Sequence, residues 1–179
     1  YEPFIGKSLM NTYETASSQT KESVEIYARE INEGKTLTLF LKSHLYGCNY
    51  EKGSRLPEAR YFAPHFGQNI AANYPGIQVG ISYIARIQTV EVVESWQDLI
   101  DIIKTVRGAT WLRKHKIFLD PIHKAWNWNH GEKRYFLFLG TPRLVFNPSI
   151  GKEYLQKGKG WLSKRFYSFD SLFEAWGCY

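Results

Sequence analysis

The strongest hydrophobic pattern in the chain is an alternation between residues 77 and 93. Apolar side chains at Ile81, Tyr83, Ala85 and Ile87 alternate against the polar residues Ser82, Arg86 and Gln88. Successive side chains of a β-strand point to opposite faces of the sheet, so this spacing of two predicts a strand that is buried on one face. Shorter strands are predicted at residues 36–42, 60–66, 135–139 and 144–146.

Helices are predicted where apolar residues recur every three or four positions. The first covers residues 12–33 and is expected to stop at Gly34. A second helix begins after Ser95, which is placed as its N-cap with Asp98 three residues later, and ends before Gly108. A third helix is predicted at residues 169–176. The segments 43–60 and 109–134 are predicted to be irregular.

These elements predict an α+β fold, a small mixed β-barrel with flanking and inserted helices. At 179 residues, we expect one domain over 1–179. Its parts are the helix at 12–33, the barrel at 36–150, and a basic segment with a closing helix at 151–179. Because the sequence begins at Tyr1 rather than methionine, we expect it to be a fragment of a larger protein. The partners of this domain would then include further domains of that parent protein. No apolar run is long enough to cross a membrane, so no membrane partner is expected.

The positive charge is concentrated in the second half of the chain. Residues 1–106 contain 10 basic and 12 acidic residues, a net charge of −2, whereas residues 107–165 contain 13 basic and 3 acidic residues, a net charge of +10. Such a basic block favours binding to a polyanion, because each neutralised phosphate releases condensed counterions. A solvated surface face is the alternative interpretation.

The residues that usually carry chemistry form no recognisable site. The two cysteines, Cys48 and Cys178, build neither a disulfide framework nor a metal motif, which favours a cytoplasmic protein. The spacing of His115, His123 and His130 matches no metal-binding pattern. Phosphate-binding glycine loops, a nucleophile elbow and nuclease-type carboxylate clusters are also missing from the sequence. We therefore expect a binding domain without a catalytic site, metal or cofactor.

Aromatic residues alternate with cations in three stretches, 111–115, 124–130 and 159–167. A tryptophan ring can stack on a base while adjacent Lys and Arg hold the phosphate backbone. Trp126 and Trp128, flanked by asparagines, are predicted to contact a base, although burial in the core is the alternative for each. The predicted phosphate-binding residues are Arg113, Lys114, Lys116, Lys124, Lys159, Lys164 and Arg165.

Three stretches resemble the PUA-like superfamily, in particular its EVE and YTH branches. Residues 38–43 (TLFLKS) resemble the first barrel strand, which in these families ends in Lys-Ser at the binding pocket. Residues 79–87 (VGISYIARI) are similar to the strand that crosses the barrel. Residues 134–144 resemble the later strand and its proline-containing exit, with a tryptophan-bearing loop just upstream.

The resemblance implies a compact barrel that binds RNA or DNA, often by holding a flipped, modified base in an aromatic cage. Lys42 and Ser43 would then line the pocket mouth, and Trp126 or Trp128 would form a cage wall. The loop after Ser43 lacks the tryptophan of the YTH pattern, so Tyr46, Tyr50 or Tyr61 would substitute for it. Such domains also serve as specificity modules of modification-dependent restriction systems.

The sequence therefore predicts a nucleic-acid-binding domain that reads a modified or flipped base, with DNA favoured over RNA. Its base-binding residues would be Lys42, Ser43, Tyr61, Trp126 and Trp128. The alternatives are a nuclease domain of a restriction-type enzyme and a protein-interaction module that uses exposed aromatic residues.

Overall fold

The computed structural model describes residues 4–8, 34–54, 56–125, 131–151, 165–167 and 169–177, with the backbone alone for 4–8, 165–167 and 169–171. The strands are β1 Phe4–Ser8, β2 Leu45–Asn49, β3 Tyr61–Phe66, β4 Gly80–Ile81, β5 Tyr83–Val93, β6 Arg134–Leu139, β7 Arg143–Leu144 and β8 Arg165–Tyr167. The helices are α1, which is α-helical at 34–38 and π-helical at Leu39–Ser43, α2 Gln68–Asn73, α3 Trp96–Arg107, α4 Ala109–Ala125 and α5 Phe169–Trp176. A short 3-10 helix covers Leu56–Glu58.

The strands form a mixed sheet in the order β2-β6-β5-β3-β1-β8, with β4 beside β3 and β7 beside β5. The described strand pairs are antiparallel apart from β1 and β3, which are parallel. The α+β prediction is confirmed. Within the described strands the sheet is open, since its order ends at β2 and β8, and a closed barrel is not shown.

Alternating side chains of β6 show how the sheet divides the core. Tyr135 and Leu137 pack on one face, with α1, the 3-10 helix and α2, whereas Phe136 and Phe138 pack on the other face, against α3 and α4. A third cluster around Phe146 packs against α5. Of the helices in the described residues, the two longest, α3 and α4, therefore cover the face of the sheet at β6 and expose their outer sides.

Several elements match their sequence predictions. The alternating segment forms β4 and β5, and the predicted strands at 60–66 and 135–139 are β3 and β6. Gly80, the first residue of β4, has a φ of 113°, and a Cβ there would collide with the carbonyl oxygen of Ile150. Pro64 is tolerated inside β3 because the antiparallel partner of that strand changes there, from β5 at Phe62 to β4 at His65.

Three predictions of local structure are wrong. Residues 36–42 are helical rather than a strand, residues 45–49 form β2 within the predicted loop, and residues 109–125 form α4 rather than irregular chain. The predicted helix at 12–33 lies outside the described residues. The TLFLKS stretch that carries part of the PUA-like resemblance therefore lies in α1, and not in a barrel strand.

The cap of α3 gives a direct test of this local structure. The Ser95 hydroxyl accepts a hydrogen bond from the Asp98 backbone N–H at 3.1 Å, which satisfies a donor that the helix leaves unpaired. We expect Ser95→Ala to lower the free energy of unfolding by about 1 kcal/mol in urea denaturation. Ser95→Asp keeps an acceptor oxygen and should stay close to the native value. Equal stability of all three proteins would contradict the capping role.

Candidate nucleic-acid interface

A row of cations lies on the outer side of α4. Arg113, Lys114, Lys116 and Lys124, which we call the basic face, are all exposed. Asp120 is the one acidic residue of this helix. The row extends from Arg113 to Lys124, a rise of about 16 Å at 1.5 Å per residue.

The opposite side of α4 explains why the cations face outward. Leu119 and Ile122 are buried in the cluster beside β6, and Trp111, Leu112 and Phe118 pack against it. These residues are spaced three, four or seven positions apart, which places them on one side of the helix, so one stripe is buried and the cations outside it remain in solvent. The structure thus brings four of the predicted phosphate-binding residues onto one surface.

The predicted base-binding residues are not gathered into one described pocket. Lys42 is exposed at the end of α1. Ser43 is 1% exposed, so it is enclosed rather than presented at a pocket mouth. Tyr61 packs against the cluster around Phe146, whereas Ser43 contacts α4. Trp126, Trp128, Lys159 and Lys164 lie outside the described residues, and Arg165 is placed in β8 by its backbone alone.

A hydrogen bond between Ser43 and His115 attaches α1 to α4. Ser43 Oγ and His115 Nδ1 are 3.0 Å apart. The imidazole also stacks on Trp111, with the ring centroids 4.0 Å apart and the planes 9° from parallel. Because the Ser43 hydroxyl is enclosed, this pair stabilises the helix junction and does not present a nucleophile to a substrate.

Arg107 connects three elements at the same junction through backbone carbonyls. Its guanidinium donates to the Ser43 carbonyl at 2.6 Å, to the His44 carbonyl at 3.2 Å and to the Leu139 carbonyl at 2.9 Å. The carbonyls at the end of a helix lack intrahelical donors, so Arg107 satisfies the C-terminus of α1 and also attaches β6. The guanidinium lies 4.8 Å from the centre of the Trp111 ring.

Two histidines, His44 and His115, interact electrostatically with Arg107 where α1 meets α4. Burial, followed by the charges of Arg107 and His115, lowers the pKa of His44 below 6.5. Burial, followed by the charges of Arg107 and Lys114, likewise lowers the pKa of His115. His44 also has a φ of 56°, the left-handed conformation that ends α1. The folded protein therefore favours both imidazoles in their neutral form.

These shifts predict that the protein is less stable in mild acid. The unfolded chain takes up protons on both histidines near pH 6.5, whereas the folded chain resists them until a lower pH, so stability is complete above about 6.5 and falls as the pH drops below it. We expect a lower urea midpoint at pH about 5.5 than at about 7.5. The double variant His44→Asn and His115→Asn should reduce this difference. A midpoint that rises on acidification would contradict the assignment.

A cavity of about 130 Å³ lies between α1 and α4. We call it the α1–α4 cavity. Its lining consists of Gly34, Lys35, Thr38, Tyr74, Ile117, Phe118 and Pro121. Aromatic, aliphatic and cationic groups therefore meet beside the basic face.

Sequence reasoning identified the cations of α4 but missed Arg107 and Ile117. In the sequence, Arg107 is only one of the cations of the basic block. Its role cannot be read there, because its three acceptors are backbone carbonyls that are distant in sequence. The exposure of Ile117 is indicated by its position in the sequence. It is an aliphatic residue among cations, outside the stripe formed by Leu112, Leu119 and Ile122, and it is 71% exposed.

Comparison with known proteins assigns no family. No protein-family model matches the sequence, and neither curated proteins nor solved structures give a significant match. Within the described part of the chain, no helix is long and apolar enough to span a membrane. The same residues contain no cluster of three or more His, Cys, Asp or Glu that could hold a metal ion.

Proposed function

We propose that this chain is a nucleic-acid-binding domain whose basic face on α4 contacts the phosphate backbone. The observation that carries the proposal is the exposure of Arg113, Lys114, Lys116 and Lys124 along one side of one helix, with Asp120 as its one acid. Cations in a row bind a polyanion whose charges are also in a row. The gain in free energy comes mainly from the counterions that the phosphates release.

The dimensions of the basic face fit a short stretch of nucleic acid. Its length of about 16 Å corresponds to about five stacked nucleotides of one strand, at about 3.4 Å each. The buried stripe at Leu119 and Ile122 fixes the rotation of the helix about its axis. The cations are therefore held on a rigid element rather than on a loop, which reduces the entropy lost when they bind.

We further propose that the domain reads a modified or flipped base in DNA, as a PUA-like domain of a modification-dependent restriction system would. The support is in the sequence. Trp126 directly follows Ala125, the last residue of α4, and Trp128 comes two residues later, so two stacking residues continue from the end of the basic face. Aromatic rings hold a flipped base by stacking. Of the other base-binding candidates, Lys42 is exposed and available, whereas Ser43 is enclosed.

The proposal is tested by fluorescence-polarisation binding to labelled single- and double-stranded DNA and RNA, each with and without methylated bases. Tighter binding to one methylated DNA, lost in Trp126→Ala or Trp128→Ala without loss of thermal stability, would support base reading. If both variants bind normally but unfold at lower temperature, the two tryptophans are core residues and the base-reading proposal fails. Absence of binding to every probe at low salt would refute nucleic-acid binding itself.

A further inference from the structure

Trp96 and His123 form a stacked pair where the first turn of α3 meets the last turn of α4. The ring centroids are 4.4 Å apart and the ring planes are 2° from parallel. Trp96 is partly buried, and it packs against the cluster beside β6, which holds the indole in place. The indole therefore fixes the orientation of the imidazole at the outer surface of α4.

His123 presents the second face of its ring to solvent. Trp96 covers one face of the imidazole, yet the residue as a whole is exposed, so its accessible surface includes the opposite face and the ring edge. His115 also stacks on a tryptophan, but it is hydrogen-bonded to Ser43 and only partly exposed. The stack at His115 therefore belongs to the junction of α1 and α4, whereas the stack at His123 leaves an aromatic face open.

The open imidazole face is aligned with the cations of the basic face. Lys116 precedes His123 by seven residues, close to two turns of helix, so the two side chains leave α4 in nearly the same direction. They are separated by about 10 Å along the helix axis, the rise of about three stacked nucleotides. Lys124, which directly follows His123, is also exposed. A strand whose phosphates contact Lys116 and Lys124 therefore brings a base to the level of His123.

We propose that His123 is a base-stacking residue, whose open ring face contacts one base of the bound strand, and that Trp96 is the positioning residue beneath it. This inference rests on the proposed function and adds a base contact to the phosphate contacts of the basic face. Histidine is among the aromatic side chains on which bases stack. Every base has a π-face, so the contact tolerates any sequence and suits a flipped base and an unpaired base alike.

Two labelled single-stranded DNA probes of about 12 nucleotides separate base contacts from phosphate contacts. One probe has a mixed sequence, and the other has the same backbone with abasic sugars throughout, so the two carry equal charge. We expect the native protein to bind the base-bearing probe at least about tenfold more tightly. His123→Ala should weaken binding of the base-bearing probe about tenfold and leave binding of the abasic probe unchanged.

His123→Phe and Thr110→Ala are the controls. Phenylalanine keeps an aromatic ring beside Trp96 and removes the imidazole nitrogens, so His123→Phe should retain the preference for the base-bearing probe. Thr110→Ala changes another exposed residue of α4 and should alter neither affinity. Both positions are exposed, so each variant should fold, which thermal melting verifies.

Three results would overturn the stacking role of His123. Equal weakening of both probes by His123→Ala would show a phosphate contact, and unchanged binding of both would show that the residue only attaches α4 to α3. Loss of the preference in His123→Phe would show that the ring face is not what the base contacts. Phosphate binding by the basic face survives each of these results, whereas failure of the native protein to bind either probe at low salt would refute the proposed function itself.

Discussion

Replacing Arg107 with alanine should lower the free energy of unfolding by about 3 kcal/mol, because it removes three hydrogen bonds from a charged group to partly buried backbone carbonyls, and such bonds are the stronger kind. The guanidinium donates to the carbonyls of Ser43, His44 and Leu139. Its removal also deprives Trp111 of a cation at 4.8 Å. Urea denaturation and thermal melting measure the effect, and a protein of this size should melt about 10 °C lower.

Two further variants separate the geometry of Arg107 from its charge. Arg107→Lys keeps the positive charge, but one ammonium cannot reproduce the planar fork that reaches three carbonyls, so an intermediate loss is expected. Lys104→Ala changes an exposed cation of the same helix and should stay within about 0.5 kcal/mol of the native protein. The junction would have no energetic importance if Arg107→Ala changed stability as little as Lys104→Ala does.

The basic face should account for most of the affinity for nucleic acid. Each phosphate contact on a single strand contributes about fivefold in affinity at about 0.1 M salt, so removing three contacts should weaken binding about 100-fold. The variant combines Arg113→Gln, Lys116→Gln and Lys124→Gln. All three side chains are exposed, so folding should be preserved, which circular dichroism and thermal melting can verify.

A second triple variant, with the same net charge as the α4 variant, shows whether affinity depends on the position of the cations or on the total charge. Lys52→Gln, Arg86→Gln and Arg143→Gln remove three exposed cations that lie outside α4. The proposal expects only a few-fold loss of affinity for this control, because long-range attraction is screened beyond a Debye length of about 10 Å at 0.1 M salt. Similar losses in the two triple variants would show that binding depends on overall charge and not on α4.

Elements with a clear pattern were predictable from the sequence. The alternation around Tyr83 gave β5, and the Ser95 cap with the stripe at Leu99 and Ile103 gave α3. In each case the local signal and the tertiary environment agree, since one face is buried and the other is not.

The wrong predictions arose where the environment hides or overrides the local signal. Leu37, Leu39 and Phe40 are all buried, and together they contact clusters on both faces of the sheet, so the run shows no helical period and reads as a strand. In α4, Pro121 and the closely spaced cations obscured an apolar stripe that does have helical spacing. β2 contains Gly47 and Asn49, which disfavour strands, and it forms because it pairs with β6.

The candidate site was predictable only in part, because a sequence shows which residues are charged but not how the helices pack. A cluster of cations is visible in one dimension, and the structure confirms that four of them share the exposed side of α4. The enclosure of Ser43 and the cavity beside Ile117 depend on how α1 packs against α4, which no local pattern specifies. Tertiary packing therefore supplies the geometry, while the sequence supplies the charge.

The most direct test of nucleic-acid binding through α4 is the salt dependence of affinity for a single-stranded oligonucleotide, between about 50 and 200 mM salt. Four phosphate contacts predict a slope of about −3 in a plot of log affinity against log salt, and the triple variant of α4 should flatten it to about −0.7. A native slope near zero, or a slope that the triple variant leaves unchanged, would contradict the account.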